Sequence, residues 1–127
     1  MPDIKGDFKI AHVFDGRTDG EYYVVDRESL PPEQQKNILS YLDQGAGLFI
    51  ARSLGEDRLD PSRGKQVPRG ASTDGTWIWD LSVAYYLKVH NLAPEPAFIE
   101  HLRARNFHYE APTPEQVNAA LAALQGR

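Results

Sequence analysis

The fold of this chain is decided by the stretch Asp74-Gly75-Thr76-Trp77-Ile78-Trp79-Asp80-Leu81-Ser82-Val83-Ala84-Tyr85-Tyr86-Leu87, which holds both tryptophans and two of the six tyrosines. Trp77 and Trp79 alternate with Ile78, which is the spacing of a short strand with two apolar faces. The residues after Asp80 are apolar nearly all round, as in a helix at the centre of its domain. The stretch therefore predicts a buried strand followed by a buried helix that Asp80 caps.

Length and composition predict one globular domain over residues 1–127. The chain has 127 residues, of which 41% are hydrophobic and 25% are charged, and these values are typical of a single domain with its own core. It has no cysteine, which excludes disulfides, thiolate metal sites and cysteine nucleophiles. The net charge of −4 makes nucleic acid an unfavourable partner and leaves room for a basic protein.

The sequence carries no signal for export or membrane insertion. Its first residues contain no apolar run of the kind found in signal peptides, and no segment is long enough to cross a bilayer. The lack of cysteine is compatible with a reducing compartment. We therefore expect a cytoplasmic protein with no membrane partner, and the oligomeric state is left open.

Two strands, a helix and a third strand are predicted before the tryptophans. Apolar residues alternate with polar or small ones over 8–14, and a β-prone run follows at 22–25, so the two segments are expected to form an antiparallel hairpin. A helix is expected to begin at Pro31-Pro32 and to end at Gly45 in a left-handed conformation. Residues 48–51 then form a short apolar run, which indicates a buried strand.

Three helices are predicted after the tryptophan strand. The first runs from Asp80 to about Asn91, and a proline-rich break separates it from an amphipathic helix. The last helix has Thr113 as its cap and Gln116 at the capping-box position. We therefore predict an α+β domain with a small, mainly antiparallel sheet of about four strands packed by about four helices, in the order ββαββααα. Its core is expected to include mainly Trp77, Trp79, Tyr85, Phe98, Ile99 and Leu121.

The segment from Arg52 to Asp74 is predicted to be a long loop, and loops of this length in compact domains usually bind something or are disordered. It contains the basic residues Arg52, Arg58, Arg63, Lys65 and Arg69. Guanidinium groups match the geometry of phosphate, so the loop could bind a nucleotide or nucleic acid. Carboxylates at Glu56, Asp57 and Asp60 interrupt the basic set, and a solvated loop of mixed charge is the simpler interpretation.

No motif in the chain predicts catalysis or a cofactor. The four histidines, His12, His90, His101 and His108, lack the spacing of a helical metal pair. No serine lies in a Gly-x-Ser-x-Gly motif, and no glycine-rich phosphate loop is present. We therefore expect no metal, no cofactor and no enzymatic activity. A small hydrolase or transferase remains the alternative if polar residues converge near His90, His101 and Asp74.

Asp15 and Asp19 flank a turn-forming segment that ends at Gly20. Paired carboxylates could bind a cation or act as acid and base, but Asp-Gly sequences are ordinary turn chemistry. The functional interpretation that remains is an acidic rim that recognises a basic partner, because charged rims raise association rates and specificity.

The chain resembles a group of small bacterial proteins that is frequent in actinobacteria. The resemblance is carried by Asp-Gly-x-Trp-x-Trp at 74–79, a Tyr-Tyr helix at 84–87, a proline break at 92–94 and a His-containing helix at 98–102. It covers roughly the C-terminal half, and Asp80 stands where many relatives are expected to have proline. Members look like immunity proteins encoded near secreted polymorphic toxins.

The resemblance implies a non-enzymatic protein that binds and neutralises one cognate bacterial toxin by protein–protein occlusion. Such an inhibitor can place a loop or acidic side chains in the active-site cleft of its toxin, and the segments 15–20 and 52–74 are long enough to do so. The expected partner-binding residues are Asp15, Arg17, Asp19, Glu56, Asp57, Arg58, Asp60, Arg63, Lys65, Arg69 and Asp74.

Overall fold

The computed structural model describes residues 3–125, apart from the side chains of Asp3 and Lys5. Its elements are, in chain order, β1 (Asp3–Lys5), β2 (Phe8–Ala11), β3 (Gly16–Thr18), β4 (Glu21–Tyr23), α1 (Pro32–Asp43), β5 (Ala46–Ile50), β6 (Gly55–Glu56), a 3₁₀ turn (Pro61–Arg63), β7 (Lys65–Val67), β8 (Gly70–Thr73), β9 (Trp77–Asp80), α2 (Ser82–His90), α3 (Pro96–Ala104) and α4 (Pro114–Leu124). The fold is α+β with a mainly antiparallel sheet, as predicted.

The main sheet has five strands in the order β1-β2-β9-β8-β5. Neighbouring strands are antiparallel except for β2 and β9, which run parallel with Ile10 opposite Ile78. Two small antiparallel ribbons, β3-β4 and β6-β7, lie outside this sheet. The tryptophan strand β9 is therefore the middle strand of the fold.

Trp77 and Trp79 share one face of the sheet, which we call the tryptophan face, and Ile78 belongs to the other, as the alternation predicted. Helices α1, α2 and α3 bury their apolar side chains against the tryptophan face. The buried helical residues of this cluster are Ile38, Tyr41, Leu42, Val83, Tyr86, Leu87, Phe98, Ile99 and Leu102. This cluster is the larger of the two cores.

The opposite face of the sheet packs against α4. Ala120 and Ala123 of α4 are buried against Phe8, Ile10 and Ile78. Thr113 and Gln116 form the predicted capping box, in which each side chain accepts a hydrogen bond from the other residue's backbone N–H. Small residues at the contact allow the helix to lie close to the strands.

The predicted hairpin between residues 8–14 and 22–25 is wrong. Strand β2 ends at Ala11 and pairs with β1 and β9, and the second segment contributes β4, which pairs with β3. After Ala11 the chain leaves the sheet, and Val13 is buried in the core on the tryptophan face. Alternation therefore identified the strand correctly but assigned it the wrong neighbours.

The predicted loop over 52–74 is also only partly correct. Its last residues form β8, a buried inner strand of the sheet. Gly70 has φ +149°, and a Cβ atom there would lie 2.4 Å from the carbonyl oxygen of Phe49. The neighbouring strand thus approaches too closely for a side chain at Gly70. The strand β8 was not predicted because its residues are small and show no apolar pattern.

Three smaller expectations need correction. Gly45 does not end α1 in a left-handed conformation, since the cap residue Gln44 is right-handed. The expected buried strand at 48–51 is the edge strand β5, and its Phe49 is exposed. Tyr85 and Leu121 are only half-buried, whereas the other four expected core residues are buried.

Helix α2 begins at Ser82, and its N-cap residue is Leu81, which makes no side-chain cap hydrogen bond, so the predicted cap by Asp80 is wrong. Asp80 is the last residue of β9, and its carboxylate accepts hydrogen bonds from the backbone N–H and hydroxyl of Ser82. Asn91 ends the helix with φ 56°, a left-handed conformation that asparagine tolerates. In the part of the chain that the structure describes, no helix has the length and apolarity needed to span a bilayer.

Candidate functional site

Two buried aspartates each bind a histidine, a tyrosine and an arginine. In the Asp57 cluster (Asp57, Arg63, Tyr85, His90), Oδ2 of Asp57 lies 2.6 Å from the Tyr85 hydroxyl and 2.7 Å from His90 Nε2. Arg63 Nε lies 3.6 Å from the same oxygen. The other oxygen, Oδ1, accepts the backbone N–H groups of Leu59 and Asp60 at 2.9 and 2.8 Å.

The Asp74 cluster (Asp74, Tyr41, His101, Arg105) repeats this chemistry. Oδ2 of Asp74 lies 2.5 Å from the Tyr41 hydroxyl, 2.7 Å from His101 Nε2 and 3.7 Å from Arg105 Nη1. Oδ1 accepts the backbone N–H groups of Thr76 and Trp77 at 2.9 and 2.8 Å. Each carboxylate therefore closes a turn with one oxygen and binds side chains with the other.

Both carboxylates are ionised at neutral pH. Burial raises the pKa of Asp57, but hydrogen bonds from Tyr85, His90 and the backbone outweigh burial and lower that pKa to about 2. Burial likewise opposes ionisation of Asp74, and the bonds from His101, Tyr41 and the backbone lower its pKa to about 2. An ionised carboxylate only accepts hydrogen bonds. Nε2 of each histidine must therefore carry a proton.

The two clusters fix the ends of the segment 57–74. Asp57 connects the start of this segment to α2 through Tyr85 and His90. Asp74 connects its end to α1 through Tyr41 and to α3 through His101. The segment between them is consequently held by the helices that cover the tryptophan face.

A pocket of about 650 Å³ lies between three parts of the chain: the β3-β4 ribbon, which we call the first hairpin, the segment 52–74, which we call the long loop, and α2. Its lining residues fall between His12 and Tyr22, between Gly55 and Arg69, and between Asp80 and Tyr86. The volume is in the range of small-molecule sites, roughly 300–1,000 Å³. The pocket joins three segments that are far apart in sequence.

The position of the pocket follows from the parallel pair in the sheet. Strand β2 ends at Ala11, just before His12, and β9 ends at Asp80, so the carboxyl ends of both strands point to the pocket. Open sheets with parallel strands bind ligands at this end because the connections diverge there. The topology thus places a crevice where functional side chains can converge.

Three arginines and an aromatic cluster give the pocket its chemistry. The guanidinium carbons of Arg17 and Arg58 each lie 5.3 Å from the centre of the Tyr22 ring. The Tyr22 ring packs on Phe14 at 5.0 Å, and Phe14 packs on Tyr86 at 5.2 Å. Aromatic rings attract cations through their faces. The aromatic side chains therefore hold two of the arginines at the pocket.

The structure brings some of the expected partner-binding residues together. Arg17 from the first hairpin and Glu56, Arg58 and Arg69 from the long loop all line the pocket. The two segments that sequence analysis selected separately therefore form one surface. Arg63, from the same loop, does not line the pocket. It instead donates a hydrogen bond to the Tyr85 hydroxyl in the Asp57 cluster.

The other expected residues lie elsewhere. Asp15 forms an ion pair with Arg27 at 3.1 Å, and Asp60 accepts a hydrogen bond from the backbone of Ser62 in the 3₁₀ turn. Asp19, in the turn of the first hairpin, and Lys65, in β7, are exposed.

The prediction that Asp57 and Asp74 bind a partner needs correction. Their side chains are fully buried, with 0% exposure. Neither carboxylate can contact a partner directly, because each is enclosed by the groups that bind it. Their effect on the surface comes through the turns that they hold.

Six polar or aromatic residues of the pocket were not predicted from the sequence, namely His12, Phe14, Tyr22, Asp80, Ser82 and Tyr86. His12 and Asp80 follow or end the two parallel strands, and their proximity depends on pairing between distant segments. The alternation at 8–14 and the apolar residues at 81–89 predicted only that these segments pack in the core. The one signal available was a polar residue directly after β2 and another at the end of β9.

No group of three or more His, Cys, Asp or Glu side chains within residues 3–125 is arranged to hold a metal ion. Comparisons with protein-family models, with curated proteins and with solved structures found no match to the chain.

Proposed function

We propose that the chain is an immunity protein that binds and neutralises a cognate bacterial toxin by covering its active surface. The observation that carries this proposal is a set of exposed hydrophobic side chains on the segments that supply pocket residues or adjoin them. Five large hydrophobic residues are exposed on the segments that supply pocket residues, namely Tyr23, Val24, Val25, Leu54 and Leu59. Several large apolar side chains exposed on segments that meet at one pocket indicate an interaction surface.

Charged residues accompany these apolar side chains. Tyr23 follows the pocket residue Tyr22, and Leu54 and Leu59 are close in sequence to Glu56 and Arg58. Apolar contact in the centre with charged groups at the rim is the usual composition of a specific protein interface. The pattern supports occlusion of a protein partner, in agreement with the resemblance carried by 74–102.

Preorganisation of the surface gives further support. The Asp57 and Asp74 clusters fix both ends of the segment 57–74 by hydrogen bonds to buried, ionised carboxylates. A loop that is already ordered loses less conformational entropy on binding, which favours high affinity. This is the behaviour required of an inhibitor that must outcompete the target of a toxin.

The test is neutralisation of the captured partner. The tagged chain is used to capture proteins from its host, and each partner is then expressed in a sensitive strain with and without the chain. We expect one partner to stop growth and the chain to restore it. The double variant Leu54→Ser/Leu59→Ser should bind this toxin about tenfold or more weakly and restore growth less well.

Ile4→Ser is the control, because Ile4 is also a large exposed hydrophobic residue but lies on β1. It should bind the toxin as tightly as the wild-type chain. A partner whose toxicity is unaffected by the chain would refute the proposed function. Equal affinity of the loop variant, the control and the wild type would refute the proposed surface.

The second candidate is a small hydrolase or transferase, which the contact between His101 and Asp74 favours. An ionised aspartate that binds Nε2 orients the imidazole of His101, and Nδ1 of the neutral ring can accept a proton, which is the function of a general base. Screening with ester and phosphoester substrates tests this alternative. Activity that His101→Gln abolishes in the folded protein would support it, and activity that persists in this variant would contradict it.

A further inference from the structure

Arg17 and Arg69 carry charges that no carboxylate neutralises within residues 3–125. The Arg17 guanidinium contacts the Tyr22 ring, and Arg69 Nη1 donates a hydrogen bond to the Ser53 hydroxyl at 3.2 Å. Both side chains are exposed and both line the pocket. Their guanidinium groups are therefore free to bind an anion that enters.

The carboxylates of the pocket do not balance its three arginines. Asp80 is engaged by the backbone and hydroxyl of Ser82 at 2.9 and 2.6 Å. Glu56 lies 3.9 Å from Arg58 Nη1, at the limit of an ion pair. Two negative groups thus face three positive ones. A single monoanionic group would complete the charge balance.

The Tyr86 hydroxyl supplies an independent indication. Its oxygen accepts the backbone N–H of Arg58 at 2.8 Å, and among the described residues its own proton has no acceptor. Burial raises the pKa of Tyr86, so the hydroxyl keeps this proton at neutral pH. Because Tyr86 lines the pocket, this proton is available to a ligand that enters. A ligand oxygen at the pocket wall would accept it.

We propose that this pocket binds its ligand through a carboxylate group, which pairs with Arg17 and Arg69. Guanidinium forks bind carboxylates through two parallel hydrogen bonds. A carboxylate carries the single charge that the pocket lacks, and the remaining volume, bounded in part by Val13, Phe14 and Val67, accommodates a carbon chain. The carboxylate can belong to a free organic acid or to an acidic side chain of a bound protein. The site does not depend on the immunity function.

The test is titration of the whole chain, followed by ¹H–¹⁵N NMR at constant ionic strength. One arm uses N-acetylglutamate N-methylamide, which mimics a glutamate side chain, and the other uses glutarate, a free organic acid. We expect saturable shifts of the backbone signals of Tyr22, Gly55 and Arg58 with at least one probe. Binding only to the capped glutamate indicates a protein ligand, and binding only to glutarate indicates a free acid.

Arg17→Gln and Arg69→Gln should each weaken binding about tenfold, because each removes a charge-assisted hydrogen-bond donor. Arg52→Gln is the matched control: Arg52 is an exposed arginine of the same loop that does not line the pocket, and this variant should bind like the wild type. Arg17→Lys retains the charge and should bind with intermediate affinity.

Three results would overturn the proposal. The first is the absence of saturable shifts with either carboxylate. The second is equal weakening by Arg52→Gln, which would indicate attraction to the general charge of the loop. The third is tighter binding of inorganic phosphate than of both carboxylates, which would assign the pocket to a different anion.

Discussion

At the scale of single residues, the two buried aspartates are the most consequential side chains. Each carboxylate accepts two side-chain and two backbone hydrogen bonds. Asp57→Asn or Asp74→Asn would turn an amide towards these donors and leave some of them unpaired. We expect either substitution to lower the free energy of unfolding by about 3 kcal/mol, as is usual when a buried charged partner is lost. Urea unfolding followed by circular dichroism measures this change.

Asp19→Asn provides the control for this prediction. Asp19 is exposed and has φ 53°, a conformation that asparagine also tolerates. Its substitution should change the free energy of unfolding by less than about 0.5 kcal/mol. Near-equal stability of all three variants would mean that the buried carboxylates do not hold the loop as the hydrogen bonds indicate.

The same two residues predict how stability depends on pH. Their folded-state pKa values are lowered to about 2, below the unfolded-state value. The stabilisation is therefore complete above the unfolded pKa and is lost as pH falls towards 2, because the unfolded chain takes up protons first. We expect the free energy of unfolding to fall between about pH 5 and pH 2. The fall should be smaller in Asp57→Asn and Asp74→Asn than in the wild type, and parallel curves would contradict this assignment.

At the scale of elements, the connection between α1 and β5 depends on a glycine for steric reasons. A Cβ atom on Gly45 would lie 2.3 Å from Cζ2 of Trp79 and 3.0 Å from Cβ of Ser72. Gly45→Ala must therefore displace the connection or the buried indole. We expect a loss of about 1–3 kcal/mol in the free energy of unfolding, as is usual for overpacking. Thermal unfolding measured by calorimetry tests this value.

Gly47→Ala is a matched control two residues away. A Cβ atom on Gly47 would meet nothing within 4 Å, so this variant should be about as stable as the wild type. Equal destabilisation by both substitutions would mean that glycine is needed here for backbone freedom, and that contact with Trp79 is not the cause.

The elements that sequence analysis predicted are those with a local signal. The capping box at Thr113 and the apolar positions of α3 depend on neighbours within one or two turns, so both were predicted correctly. Strand β8 was missed because Gly70 and the three residues after it carry no apolar pattern. The wrong partner of β2 arose because pairing with β9 joins segments about 70 residues apart, and no local pattern records it.

For the whole molecule, the lack of a local signal for contacts between distant segments explains which parts of the candidate site were predicted. The first hairpin and the long loop were selected from length and composition, and the structure places Arg17 and Arg69 from these segments on one pocket. The contribution of Tyr86 was not predicted, because its apolar neighbours in α2 indicated only burial. The contact of His101 with Asp74 belongs to the convergence that the enzyme alternative required, whereas His90 binds Asp57, a pair that was not predicted because it joins different elements.

The packing predicts that the chain unfolds as one cooperative unit. The core on the tryptophan face contains residues from α1, α2, α3, β2, β7 and β9. No helix of this layer can therefore unfold without exposing the apolar side chains of the others to water. Trp77 and Trp79, with 2% and 1% exposure, report on the centre of this core. We expect blue-shifted tryptophan emission in the folded state. Its red shift in urea should coincide with the loss of helical circular dichroism, as two-state unfolding requires. An emission change that precedes the loss of helix would show that the tryptophan core opens separately, and would refute the single unit.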